Sequence, residues 1–242
     1  MTASPTFQLV GKHTILVSWE PIISEEIHSK VLQLEQYVTA FFSEEIIETV
    51  IAYHSVAIYL HEKTSAEVFL NKLEKSEWDK KQQVSNKKYI ITIPVCYSEA
   101  FGTDLSEVAK LHKLTIPEVI ALHIQPYYKV YFLGFLPGFP YLGGLDKQLH
   151  TPRRQTPRPY IDKGSVGVGG AQTGIYTLDS PGGWNILGRT PLHFFSAIKN
   201  PPVLVQPGDY VRFQAISRKK YDDISSQIDL GTYKLQKEVY HD

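Results

Sequence analysis

From Tyr127 to Phe213 glycine or proline interrupts the chain every few residues, between short β-branched and aromatic runs. Such punctuation leaves no room for a helix and limits this stretch to short strands joined by tight turns. A closed or sandwiched β structure is the expected outcome, and a β barrel is the preferred form. The densest part, residues 134–191, also concentrates arginine and aromatic side chains. Glycine lets backbone approach a ligand, proline stiffens the turns, and the large side chains supply contacts, so a built site is expected here.

Upstream the pattern is different. His13–Trp19 alternates like a strand, and Ile27, Val31, Leu34, Val38 and Phe41 recur at helical spacing after Ser24, an N-cap residue type. Ile46–Ala52 and Val56–Leu60 read as strands around a tight Tyr53-His54-Ser55 connection. Thr64-x-x-Glu67 reads as a capping box opening a helix that runs to about Lys75, and Lys88–Val95 as another strand. The order β-α-β-β-α-β predicts a ferredoxin-like α/β domain over residues 1–95. Asp104-x-x-Glu107 and Thr115-x-x-Glu118 predict a short helical linker over about 104–123 leading into the β barrel, so the second domain is 96–242 and the fold class is α+β. The tail from Ser217 is polar and weakly patterned, either an edge strand or a frayed extension.

With 242 residues and 43% apolar content the chain can bury two cores. Lys+Arg and Asp+Glu number 25 each, so there is no global field for nucleic acid or an anionic membrane, and any anion site must be local. Cys96 is the only cysteine, which excludes an internal disulfide and a cysteine-based zinc site. The nine histidines form no HxH or HExxH motif, so no metal is expected. Met1-Thr2-Ala3-Ser4-Pro5 lacks a basic and an apolar leader region, and no window approaches about 20 apolar residues. A soluble, cytoplasmic protein is the expectation.

Pro152-Arg153-Arg154-Gln155-Thr156-Pro157-Arg158-Pro159 sets three guanidinium groups on a stiff, non-helical backbone. It is either a solvated basic loop or a bidentate carboxylate or phosphate site built by Arg153, Arg154 and Arg158. Arg189 either joins them or pairs with a carboxylate in the barrel wall. Gly164–Gly174 departs from both GxGxxG and the P-loop, since Gln172 stands at the last glycine place and no Gly-Lys-Ser/Thr ends it. It is a bare glycine-rich turn or a backbone-lined ligand wall. His123 lies beside the glycine-aromatic segment, as a structural histidine or as a general acid–base. Phe135, Phe139, Tyr141 and Trp184 read as pocket wall.

Taken together, Gly134-Phe135-x-Pro137-Gly138-Phe139-x-Tyr141-Leu142-Gly143-Gly144, Pro152-Arg153-Arg154-x-x-Pro157-Arg158, Gly164-Ser165-Val166-Gly167, Gln172-Thr173-Gly174-Ile175-Tyr176 and Ser180-Pro181-Gly182-Gly183-Trp184-x-x-x-Gly188-Arg189-Thr190-Pro191 resemble one family. It is the family of the B subunits of bacterial 5-oxoprolinase, also called allophanate hydrolase subunit 1 and including KipI-type inhibitors of a sensor histidine kinase. Ile161-Asp162-Lys163 and Thr177 depart from that family's usual Val-Pro-Ala and Pro. The resemblance implies a cyclophilin-like barrel, a direct partner in the C subunit of 5-oxoprolinase, a further partner in its A subunit, and ATP-driven opening of 5-oxo-L-proline to L-glutamate, with ATP bound in or with the assembled complex. On that basis Arg153, Arg154, Arg158 and His123 are the catalytic candidates. Phe135, Phe139, Tyr141, Gln172, Thr173, Tyr176, Trp184 and Arg189 are the candidates for substrate binding.

Two other functions compete: a regulatory protein that inhibits a histidine kinase, and a carboxyltransferase-like component of a urea or allophanate system. For the last, Met1 is the only methionine, so the chain holds no Ala-Met-Lys-Met biotinylation site, and biotin would come on another chain.

Overall fold

The computed structural model describes residues 4–80 and 87–240, so Met1-Thr2-Ala3 of the N-terminal stretch read above lie outside the described residues. The chain divides into two compact units, Met1–Asn86 and Lys87–Asp242.

The first unit contains β1 (Thr6–Val10), β2 (Thr14–Ser18), α1 (Glu25–Phe41), β3 (Ile46–Ile51), β4 (Ser55–Leu60) and α2 (Ala66–Glu74). Ser24 caps α1 by accepting from the Ile27 N–H at 3.5 Å, and the spacing of Ile27, Val31, Leu34 and Val38 turns all four inward. They meet Ile15 and Val17 of β2, Val56 and Ile58 of β4, and Phe69 and Leu73 of α2. Each of these buried apolar side chains contributes about 1.5–3 kcal/mol of transfer free energy. The cap of α2 is Ser65 and not Thr64, whose hydroxyl instead donates to the Glu45 carbonyl.

The sheet order is β1-β2-β4-β3, with every neighbouring pair antiparallel. This corrects the expected β-α-β-β-α-β unit. Residues 88–95 do not return to this sheet, and the edge beside β2 is taken by β1, a strand ahead of the expected first one.

The second unit contains β5 (Tyr89–Val95), α3 (Leu105–His112), α4 (Ile116–Ile124), β6 (Tyr127–Leu133), β7 (Pro140–Gly143), β8 (Arg158–Ile161), β9 (Ser165–Gly169), β10 (Gln172–Ile175), β11 (Ser180–Gly182), β12 (Asn185–Arg189), β13 (Tyr210–Ala215), α5 (Arg218–Asp229) and β14 (Lys237–Val239). Eight strands form one sheet in the order β12-β9-β10-β7-β6-β13-β5-β14, and β8 pairs with β11 in a separate ribbon. A bridge between Cys96 and Arg189 ties β12 back to the end of β5 and closes the sheet on itself. Strand β5 runs parallel to β13 in the interior, buried from Ile91 to Val95. On its other side the Thr92 N–H donates to the carbonyl of Gln236, just ahead of β14, and the N–H of Cys96, just past β5, donates to the carbonyl of Arg189 in β12. Pro94, which has no N–H to offer, falls in the gap between those partners.

The helical linker is present as α3 and α4. Thr115 and Glu118 form a full capping box on α4, whereas Asp104 makes no cap bond to α3. The tail is more ordered than its polarity indicated: Ser217 caps α5, Ile224 is the helix's one fully buried side chain, and β14 pairs with β5.

Candidate functional site

Five aromatic rings gather at one end of the second unit. Phe139 stands at their centre, its ring centroid 5.5 Å from Phe135, 5.1 Å from Tyr141, 5.6 Å from Tyr176 and 5.5 Å from Trp184, mostly edge to face. Such pairs add about 0.5–1.5 kcal/mol each beyond their area burial. The glycines between them make room. A Cβ on Gly169 would lie 2.6 Å from Trp184, one on Gly174 2.9 Å from the Pro140 carbonyl, and one on Gly182 would strike the Tyr176 hydroxyl oxygen. The glycine-rich segment is thus neither a phosphate cradle nor a bare turn; two of its glycines seat an indole.

The rings wall a cavity of about 230 Å³ that Arg153, Pro157, Pro181, Gly182 and Gly183 complete. Phe135 lies over it with φ +65°, a left-handed conformation that costs a bulky residue about 1–3 kcal/mol, and its ring is largely exposed. The Arg153 guanidinium carbon sits 5.9 Å from the centre of the Trp184 ring. Burial raises the hydroxyls of Tyr141 and Tyr176 above their ordinary range, and the nearby Arg153 charge opposes that rise in both.

The structure separates the four candidate arginines by partner. Arg158 clasps Asp104 with two bonds, 2.8 and 2.5 Å, and Arg154 reaches the same carboxylate at 3.0 Å and Glu107 at 3.3 Å. Asp104 also accepts from the Ile186 N–H at 2.6 Å and is 1% exposed. Arg189 pairs with Asp162 and lies over the Phe101 ring at 4.8 Å, so it does not join the others; the carboxylate alternative is the one realised. Among the described residues Arg153 alone of the four has no carboxylate partner. Its neighbours are tied down: Asn185 Nδ2 donates to the Pro152 carbonyl at 2.9 Å and the Arg154 N–H to the Gly183 carbonyl at 2.7 Å.

His123 is corrected from acid–base candidate to core residue. It is 0% exposed, stacked on Phe213 at 4.6 Å, with Nδ1 2.7 Å from the Tyr97 hydroxyl and Nε2 2.9 Å from the Thr173 hydroxyl. Thr173 donates its one proton to the Gly167 carbonyl, so Nε2 carries the imidazole proton and Nδ1 accepts from Tyr97. Burial pushes the imidazole down to about 3, and it stays neutral in this chain of hydrogen bonds. Thr173 is spent on the same chain, and Gln172 opens β10 without lining the cavity.

Sequence reasoning took Asp104 for a helix cap and missed it as the acceptor of both arginines. The signal available was the surplus of cations in Pro152–Pro159, which requires a carboxylate from elsewhere once the segment packs down. Among the described residues no group of three or more His, Cys, Asp or Glu side chains could hold a metal. No helix among them is long and apolar enough to cross a membrane. The cavity lining offers one cation, two phenols and aromatic faces, and no carboxylate, imidazole or thiol. It can bind and orient a flat anion.

The carboxyltransferase domain family, subdomains C and D, matches residues 5–205. The B subunit of 5-oxoprolinase from Bacillus subtilis is 36% identical over 232 residues, covering 91% of this chain and 97% of that protein. The protein of the same name from Haemophilus influenzae is 42% identical over 170 residues, covering 70% of this chain and 79% of its own length. Among solved structures, TTHA0988 aligns with a TM-score of 0.74 at 34% identity over 84% of this chain, which spans 40% of that one. The urea carboxylase of Kluyveromyces lactis aligns with a TM-score of 0.80 over 97% of this chain and 24% of its own, at 22% identity, a likeness of fold alone. The chain belongs to the carboxyltransferase subdomain C and D family, the family of the 5-oxoprolinase B subunits.

Proposed function

We propose that this chain acts as the B subunit of an ATP-dependent 5-oxoprolinase, in an assembly that opens 5-oxo-L-proline to L-glutamate. The observation that carries the reading is the end-to-end correspondence with the Bacillus subtilis protein, 97% of whose length is matched. That relative is named as one subunit among several, which supports partners; this reading takes them to be a C-type subunit in direct contact and an A-type subunit. The closed sheet is read as a cyclophilin-type barrel, and the chain as a cytoplasmic hydrolase component.

The aromatic cavity does not fit ATP. At about 230 Å³ it is smaller than the roughly 300–1,000 Å³ usual for larger ligands. Arg154 and Arg158 are held by Asp104, and the glycine-rich segment seats Trp184. On this reading ATP is bound elsewhere in the assembled complex than in the aromatic cavity. The part left to this chain is to hold and orient a small flat substrate, which raises the effective concentration of the reacting groups brought by the partners.

Tagged chain purified from its native host, with identification of the chains that come with it, tests the reading. Recovery of two metabolic partners supports it; recovery of a histidine kinase alone would replace it with a kinase-inhibitor role. A carboxyltransferase role draws on 36% identity to 89 residues of the Saccharomyces cerevisiae urea amidolyase, 34% of this chain, and is the weaker alternative.

A further inference from the structure

We propose that the aromatic cavity is a subsite for the carboxylate-bearing lactam ring of 5-oxo-L-proline, with Arg153 taking the carboxylate and the five rings holding the lactam. The proposal deepens the 5-oxoprolinase reading and rests on it for the identity of the ring.

Four observations converge. The cavity is small, about 230 Å³, and its walls are ring faces and edges, a match for one flat five-membered ring and not for an extended chain. Its one charged lining residue is a cation, so a bound anion meets attraction and an ammonium group meets repulsion. Arg153 has no carboxylate partner among the described residues, whereas Arg154, Arg158 and Arg189 each have one, so one guanidinium of the four keeps its planar fork for a ligand carboxylate. Finally, the site is prepared before binding. The backbone on either side of Arg153 is bonded to Asn185 and Gly183, and Pro152 and Pro157 stiffen the segment, so little ordering cost remains when a ligand arrives.

Phe135 adds a last wall: held at φ +65°, it keeps a largely exposed ring edge to face with Phe139 at the cavity, where a bound ring would cover it. A neutral lactam alone is expected to fit poorly. With no carboxylate on the ring, Arg153 keeps its water and contributes nothing, and the ring faces supply only apolar contact.

Isothermal titration of the full chain with 5-oxo-L-proline and with 2-pyrrolidinone, the same ring without its carboxylate, tests the proposal. Saturable binding of 5-oxo-L-proline is expected, weaker by about tenfold or more for 2-pyrrolidinone and for Arg153→Gln, because a charge-assisted bond is lost in each. Arg153 is exposed, so Arg153→Gln keeps the fold, and Arg153→Lys retains part of the affinity. In the assembled enzyme Arg153→Gln raises KM for 5-oxo-L-proline by a similar factor, the sign of lost ground-state binding. Absence of binding to the wild-type chain, equal affinity for the two compounds, or an unchanged KM in the variant overturns the proposal. An assembly that turns over without this chain overturns the 5-oxoprolinase reading instead, and the titration still decides the subsite.

Discussion

Asp104 ties down the arginine segment beside the cavity without lining the cavity itself. It sits at the start of α3, yet its carboxylate turns away from the helix to accept two bonds from Arg158, one from Arg154 and one from the Ile186 amide. Asp104→Asn keeps the shape and removes the charge that holds both guanidiniums. Breaking such a pair costs about 3–5 kcal/mol when fully buried, and here the arginines remain partly exposed, so a loss of about 2–3 kcal/mol is expected in urea unfolding. A change below about 0.5 kcal/mol, the usual size for a surface substitution, would contradict the account. His123 gives a prediction in pH. Its folded value is about 3 and its ordinary value 6.5, so the unfolded chain takes up a proton first as pH falls. Its contribution is complete above 6.5 and is lost between 6.5 and 3, with a slope of up to about 1.4 kcal/mol per pH unit. His123→Gln should be less stable than wild type at pH 7 and should show a shallower decline between pH 6.5 and 5. Equal slopes would place the titration elsewhere. The stiff arginine segment was legible from its prolines alone. Its partner was not, because nothing in Asp104-x-x-Glu107 distinguishes a carboxylate that caps its own helix from one that reaches a segment 50 residues away.

At the scale of elements, the strand that misled the sequence reading also carried its own correction. A strand with one face in water alternates, as β2 and β4 do, whereas Tyr89-Ile-Ile-Thr-Ile-Pro-Val95 is almost unbroken apolar, the mark of a strand with neighbours on both sides and cover on both faces. Placing it in the barrel leaves the first unit's edge open, and β1 fills it. Helix α5 was missed for the opposite reason: Ile224 alone is buried and the other positions are exposed or only partly covered, so no apolar stripe announces it. That anchor makes α5 separable from the barrel's cooperative core. Ile224→Ala should speed amide exchange across residues 218–229 by tenfold or more, while global unfolding shifts by less than the roughly 2–5 kcal/mol typical of a core deletion, because the helix can undock without the barrel opening. Uniform acceleration across the barrel strands would show that α5 is part of the same unit.

For the whole molecule, the position of β5 decides where the chain can be divided. A fragment of residues 87–242 retains the strand that β13 and β14 pair with, and should fold alone with dispersed amide resonances. A fragment of residues 96–242 loses the interior strand and its Ile91, Ile93 and Val95 side chains, and should not. Equal folding of both would contradict the assignment of β5. The lining of the aromatic cavity holds no carboxylate, imidazole or thiol, and on the proposed reading other chains complete the chemistry. The most direct measurement mixes purified A-type, B-type and C-type subunits with ATP and 5-oxo-L-proline and follows L-glutamate, with each one omitted in turn. Turnover is expected with all three and background release when this chain is left out; full turnover without it would exclude the B-subunit role.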